Sequence, residues 1–307
     1  MKALITGASS GIGRDMARVL SSKGYELILV ARREDRLKEL QKDLHTNSEI
    51  ICMDVSIADN CKKLYEMVKD KNIDVIINNA GFGVFGKNEN IDLDKEINMI
   101  DVNIKAMSIL TKLFLRDFKE RNSGYILNVA SSAAFLPGPL LSSYYASKAY
   151  VLRLSEAIYQ ELRKDKSKVS VSVLCPGPVD TEFNKVAGVR FSLDGLESEY
   201  VAKYAIEKML KRKLVIVPGI TMKITRFLSK ITPDKILLKF AKKGINLSPE
   251  AYNKVINAEN PLDFASSLIV KVEPQVEASI DNAKSSTAAI LTSNASTLTV
   301  CIPMNQA

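Results

Sequence analysis

The chain has 307 residues, 46% apolar and 25% charged, enough to bury a sizeable core in one large α/β domain or two small ones. No stretch approaches the ~20 consecutive apolar residues of a membrane span, and Met1-Lys2-Ala3-Leu4-Ile5 runs straight into a glycine-rich loop, which predicts no signal peptide and a cytoplasmic setting. Net charge is +8, concentrated between Lys203 and Lys243 where twelve basic residues face two acids; with no aromatic interleaving and no recognisable motif, this argues against a nucleic-acid partner.

In chain order, short β-branched runs alternate with longer helical patterns. Strands are predicted at 2–6, 26–31, 49–53, 75–78, 125–129, 169–174 and 214–217, and helices over 36–44 and 150–163, where apolar positions recur three and four apart. Such alternation predicts an α/β fold: a Rossmann-type, doubly wound parallel sheet of about seven strands with helices on both faces. Ligands of such sheets lie beyond the carboxyl ends of the strands. This domain is expected over 1–220. Two basic amphipathic helices, 221–231 and 233–245, extend it through 221–248. The remainder, 249–307, is rich in Ser, Thr, Ala and Asn and reads as a low-complexity, partly disordered tail. Cys52, Cys61, Cys175 and Cys301 are far apart and His45 stands alone, so free thiols and no metal site are expected.

The first strand is followed by Thr6-Gly7-Ala8-Ser9-Ser10-Gly11-Ile12-Gly13, which opens a helix. Glycines let the backbone turn tightly and approach a pyrophosphate, and the helix N-terminus adds unpaired N–H groups and a positive dipole end. Gly7, Ser9, Ser10, Gly11, Ile12 and Gly13 are therefore candidate cofactor contacts. The second strand ends in Arg32-Arg33, where an enzyme preferring NAD would carry an acid for the ribose 2′-OH. Guanidinium groups bind a 2′-phosphate through charge-assisted, forked bonds, so the expected cofactor is NADP(H).

The glycine spacing, with Asp54 and Val55 after the third strand, Asn78-Asn79-Ala80-Gly81 after the fourth, Asn103, Ser131, Tyr144-x-x-x-Lys148 and Pro176-Gly177-Pro178 with Thr181, resembles the short-chain dehydrogenase/reductase family in its compact form. The stretch 128–139 resembles its ketoacyl-reductase and hydroxysteroid-dehydrogenase branch. The resemblance covers about 1–220 and implies cofactor contacts at Asp54, Val55, Asn79, Ala80, Gly81, Pro176, Gly177, Val179 and Thr181. It also implies that Lys148 holds the nicotinamide ribose, that Asn103 orders a water leading to Lys148, and that the chain forms a homodimer or homotetramer.

Tyr144 and Lys148 lie four apart on a helical pattern and so share a face. A free phenol titrates near ~10; an adjacent ammonium favours the phenolate, which suits acid–base work near neutral pH. Tyr144 is expected to protonate a developing alkoxide with Ser131 bonded to the same oxygen. Tyr145 has Ala149 at +4 and lacks the lysine; Ser132 remains the alternative to Ser131. Apolar residues are expected around the substrate: Phe82, Val84, Phe85, Phe135, Leu136, Pro137, Leu140, Leu141, Phe183, Val186, Val189 and Phe191. They predict a hydrophobic ketone or secondary alcohol. The basic helices are read as pocket cover or a contact between copies in preference to an anionic membrane surface. Competing functions are a non-catalytic NADP(H)-sensing regulator and a sugar-nucleotide epimerase or dehydratase.

Overall fold

β1 (Lys2–Thr6), β2 (Glu26–Ala31), β3 (Ser48–Cys52), β4 (Val75–Asn78), β5 (Tyr125–Val129), β6 (Ser170–Leu174) and β9 (Val215–Ile216) form one parallel sheet in the order β3-β2-β1-β4-β5-β6-β9. β7 (Val179–Asp180) and β8 (Leu196–Glu197) form a separate parallel pair. This computed structural model describes residues 1–183, 195–233 and 235–238. The helices are α1 (Gly11–Ser22), α2 (Glu34–Lys42), α3 (Ala58–Val68), α4 (Leu93–Ile100), α5 (Met107–Glu120), α6 (Ser142–Lys164), α7 (Ser198–Leu210) and α8 (Ile220–Ile231).

Alternation along the strands divides the core in two. Ala3, Ile5, Leu27, Leu29, Ile77 and Leu127 face Met16 and Leu20 of α1, Leu37 and Leu40 of α2, and Val201, Ala205 and Met209 of α7. The residues between them, Leu4, Ile28, Val30, Ile76 and Ile126, face Leu64 of α3, Phe114 and Phe118 of α5, and Ile158 of α6. Because successive strand side chains point to opposite faces, a strand covered on both sides must be apolar throughout, which is why these runs were legible.

The seven-stranded doubly wound sheet agrees with the sequence. Three strands, β3, β6 and β9, move at their ends by one residue. The helix expected over 150–163 begins at Ser142, because its buried face continues through Tyr144, Ser147 and Lys148; polar residues on that face hide the apolar period. Asn103 stands not in an ordinary helix but in a π-helical turn, Asp101–Ala106, between α4 and α5. The two-residue strands β7 and β8 are too short to carry a periodic signal. The residues after 238, including most of the second basic helix and the tail 249–307, lie outside the described residues, as do Val186, Val189 and Phe191.

A buried polar knot ties the middle of the sheet to its helices. Asn78 Nδ2 donates to Asn128 Oδ1 (2.9 Å) and Thr111 Oγ1 (3.0 Å), and Asn128 Nδ2 donates to Ser155 Oγ (3.0 Å). It joins β4 and β5 to α5 and to α6, the helix that carries Tyr144 and Lys148. Parallel strands place every strand-to-helix loop at the same edge, and the order reverses between β1 and β4, the crevice where such sheets bind ligands.

Candidate active site

A cleft of about 520 Å³ opens at that edge. Gly7, Ser9, Ser10, Gly11, Ile12, Arg32, Arg33, Asp54, Val55, Asn79, Ala80, Gly81, Ser131, Tyr144, Lys148, Pro176, Gly177, Val179 and Thr181 all line it. Gly13 and Asn103 stand one layer behind.

At the β1 end, Thr6 Oγ1 accepts from the backbone N–H groups of Asn79 (3.1 Å) and Ala80 (3.2 Å), and Asn79 Nδ2 donates to the carbonyls of Thr6 (3.2 Å) and Gly7 (3.1 Å). The first loop and the loop after β4 are thereby held together. Gly7 has φ +67°, and a methyl group there would sit 2.8 Å from Ala80 Cα; both the turn and the close approach demand glycine. A methyl on Gly13 would collide with Asn79 Nδ2 and the Gly7 carbonyl, so this glycine serves the packing of the loop against its helix. No side chain caps the N-terminus of α1, and its first turn holds no acid. Its N–H groups and dipole are left for an anion.

At the β2 end the two arginines part. Arg32 lies 3.8 Å from Asp54 Oδ2, whereas Arg33 Nη2 donates to Ser9 Oγ (3.3 Å) and Glu182 Oε2 (2.9 Å). Arg36 Nη1 stands 3.7 Å from Glu182 Oε1. Arg33 precedes α2 and Arg36 lies in its first turn, three residues on and so on the same side. Arg36 and Glu182 are absent from the sequence expectation. The R-x-x-R spacing at a helix start was a usable signal for Arg36; Glu182 had none, being 149 residues from Arg33. A glycine cradle, an uncapped helix end and a pair of guanidinium groups fit a phosphorylated dinucleotide.

At the β5 end, Ser131 precedes a short 3-10 turn, Ser132–Phe135, and its Oγ accepts from Ala133 N (3.1 Å). Ser132 N is tied to the Pro176 carbonyl (2.7 Å). Both serines line the cleft, and of the two Ser131 is the one close enough to bear on the Tyr144 phenol. Burial pushes that phenol above its ordinary value, and the Ser131 hydroxyl acts the other way. Lys148 Nζ donates to the Val129 carbonyl (3.0 Å) and lies 5.7 Å from the centre of the Tyr144 ring. Burial pushes Lys148 down to about 8. The expected lowering of Tyr144 by the lysine is therefore corrected: burial raises the phenol instead.

Asn103 Oδ1 accepts from Phe82 N (3.1 Å), and its Nδ2 donates to the Phe82 carbonyl (2.9 Å) and Ser147 Oγ (3.1 Å). The π-turn thus clamps the loop after Gly81 onto α6. A methyl on Gly81 would meet Asn103 Oδ1 at 2.9 Å and Lys148 Nζ at 3.2 Å, which puts both polar atoms around one small space beside the cleft. Thr181 rests its side chain against Gly11 and accepts from Phe183 N (3.3 Å).

The apolar end comprises Phe82, Leu136, Leu141, Tyr145, Phe183 and Met222, with the Tyr144 and Phe183 rings 5.3 Å apart. Thr221, Met222 and Thr225 of α8 also face the cleft, so this basic helix covers the pocket. Val84, Phe85, Phe135, Pro137 and Leu140 do not line it; Phe85 and Leu140 are exposed, and Phe135 packs beneath the Arg226 guanidinium. Among the described residues, no cluster of His, Cys, Asp and Glu is placed to hold a metal, and no helix is long and apolar enough to cross a membrane. Burial raises the Cys61 thiol to about 11 and Cys175 to about 12, so both are small apolar fillers.

The family model of short chain dehydrogenases matches residues 1–189. An uncharacterized oxidoreductase of Staphylococcus epidermidis is 31% identical over 72% of this chain and 96% of its own. The very-long-chain 3-oxoacyl-CoA reductase of Rattus norvegicus is 32% identical over 67% of each. Among solved structures, a short-chain dehydrogenase from Sphingobium yanoikuyae in complex with NADPH superposes with a TM-score of 0.68, at 26% identity over 81% of this chain and 96% of that one. One from Burkholderia phymatum in complex with NAD gives 0.66, at 25% identity over 74% and 92%. The chain belongs to the short-chain dehydrogenase family and is an NAD(P)-dependent oxidoreductase of the alcohol–carbonyl couple.

Proposed function

We propose that the chain reduces a hydrophobic ketone to a secondary alcohol with NADPH, and runs the reverse with NADP, using Tyr144 as the acid and base. One observation carries this reading: Ser131, Tyr144 and Lys148 line the apolar end of a cleft whose other end holds Arg33 beside a glycine cradle, with Arg36 paired to the same carboxylate, Glu182. The bound cofactor would supply the hydride to the carbonyl carbon. Tyr144, kept protonated by burial, gives its proton to the carbonyl oxygen while the Ser131 hydroxyl bonds that oxygen and stabilises its growing charge. Lys148, with its ammonium close to half-protonated at pH 8, faces the same phenol ring and supplies the nearest replacement proton.

The preference for NADP(H) rests on charge, since two guanidinium groups reward a 2′-phosphate and no acid ends β2. The relative named for 3-oxoacyl-CoA reduction and the apolar lining together favour a fatty-acyl or similarly lipid-like carbonyl. The test is NADPH oxidation against a panel of 3-oxoacyl thioesters, steroid ketones and small polar ketones, with NADH as control. Activity with the long apolar ketones and a preference for NADPH are expected. Tyr144→Phe should bind NADPH as the parent does and lose at least about 100-fold in turnover; full turnover in that variant overturns the assignment of the acid.

A further inference from the structure

Glu182 has no part in the chemistry above, yet it occupies a position that a cofactor must contest. It follows Thr181 at the carboxyl side of the sheet and reaches across the cleft mouth. One carboxylate oxygen takes a hydrogen bond from Arg33 Nη2 (2.9 Å) and the other lies 3.7 Å from Arg36 Nη1. Arg33 Nη2 also donates to Ser9 Oγ at 3.3 Å, and Ser10 at the head of α1 lines the same cleft as Glu182. The Arg33 bond and the paired positive charges hold Glu182 below the usual carboxylate range. Two arginines, serine hydroxyls and a helix N-terminus are the donor set that recognises a phosphate, and here the two arginines face a carboxylate of the chain itself.

We propose that Glu182 competes with the 2′-phosphate of NADP(H) for Arg33 and Arg36 and so sets the affinity for the phosphorylated dinucleotide. The proposal rests on the NADP(H) reading given above. A guanidinium has a limited number of in-plane donors, and two anions sharing them repel each other. The phosphate carries more charge and more acceptors than the carboxylate, whose pairs with arginine are 38–44% exposed and therefore weak. The phosphate can displace Glu182, and the bridge reduces its gain. A dinucleotide without the 2′-phosphate makes no claim on the two guanidinium groups and leaves the bridge in place. Glu182 is thus a specificity residue acting against NADP(H), and it connects the loop beside the nicotinamide end to the far, ribose end of the cleft.

The experiment is a titration of the full chain and of Glu182→Gln with NADPH, NADH and 2′,5′-ADP, at low and at high salt. Glu182→Gln should bind NADPH and 2′,5′-ADP about three- to tenfold more tightly, with the gain shrinking in high salt and NADH unaffected. Unchanged or weaker binding of NADPH and 2′,5′-ADP overturns the proposal, because Glu182 would then be neutral or a supporting contact. The reading beneath it is tested separately in the parent chain: equal affinity for NADPH and NADH there removes the NADP(H) preference, whatever the variant does. Glu182→Ala, melted alongside, supplies the same comparison if the glutamine variant folds poorly.

Discussion

Lys148 is a charge placed where a charge is unwelcome. Its ammonium is 5% exposed, has one carbonyl partner at 3.0 Å and titrates at about 8, against 10.5 for a free lysine. The unfolded chain therefore holds more protons between those values, so stability rises as pH climbs from about 8 toward 10.5, and the full burial cost applies below about 8. Lys148→Met should be more stable than the parent at pH 7, by on the order of 1–3 kcal/mol once the lost hydrogen bond is counted, and the gap should narrow at pH 9.5. Urea unfolding at the two pH values measures this; a gap that does not narrow would mean the lysine is not the group titrating. The variant should also lose turnover, the usual exchange of stability for function at a reacting centre. At the cleft's other end Arg33 makes the close ion pair, 2.9 Å from Glu182, while Arg32 stands 3.8 Å from Asp54. Arg33→Ala should raise the KM for NADPH about 10- to 100-fold, the worth of a charged hydrogen bond, and leave the KM for NADH nearly unchanged. Arg32→Ala should do less to either.

At the scale of elements, the site depends on α6 being held at a fixed height against β4 and β5. The knot of Asn78, Thr111, Asn128 and Ser155 does this with bonds of 2.9–3.1 Å in a region closed to solvent. Asn128 lies at its centre, fully buried, bonded to three of the other side chains. Asn128→Ala strips partners from groups that cannot reach water, so a loss of about 2–4 kcal/mol is expected in chemical denaturation. Because α6 carries Tyr144 and Lys148, turnover should fall further than cofactor affinity. The π-turn Asp101–Ala106 acts similarly: its extra residue turns Asn103 inward to clamp Phe82 and Ser147, a use of π geometry that recurs near functional sites. From the sequence, Asn103 was recognisable by family position, but the turn was not, because a one-residue change of helical pitch leaves the apolar period nearly intact.

For the molecule as a whole, seven parallel strands bring loops from six different places in the chain to one edge. Most of the cleft was legible beforehand, since each loop carries its own short motif and a parallel sheet leaves the loops only one place to meet. The substrate end was less legible: several aromatic and aliphatic residues near the motifs point to solvent or to the core, and α8, far along the chain, contributes three lining residues. What the sequence by itself determined is local: the glycine cradle, the Tyr144–Lys148 face one helical turn apart, the basic end of β2, and an alternation that implies a parallel sheet covered by helices. These follow from backbone geometry over a few residues. Only the tertiary structure decided that burial raises Tyr144 and lowers Lys148, and that Glu182 closes on Arg33 from 149 residues away. Desolvation and long-range ion pairing depend on where the chain returns to itself, and no local pattern encodes that.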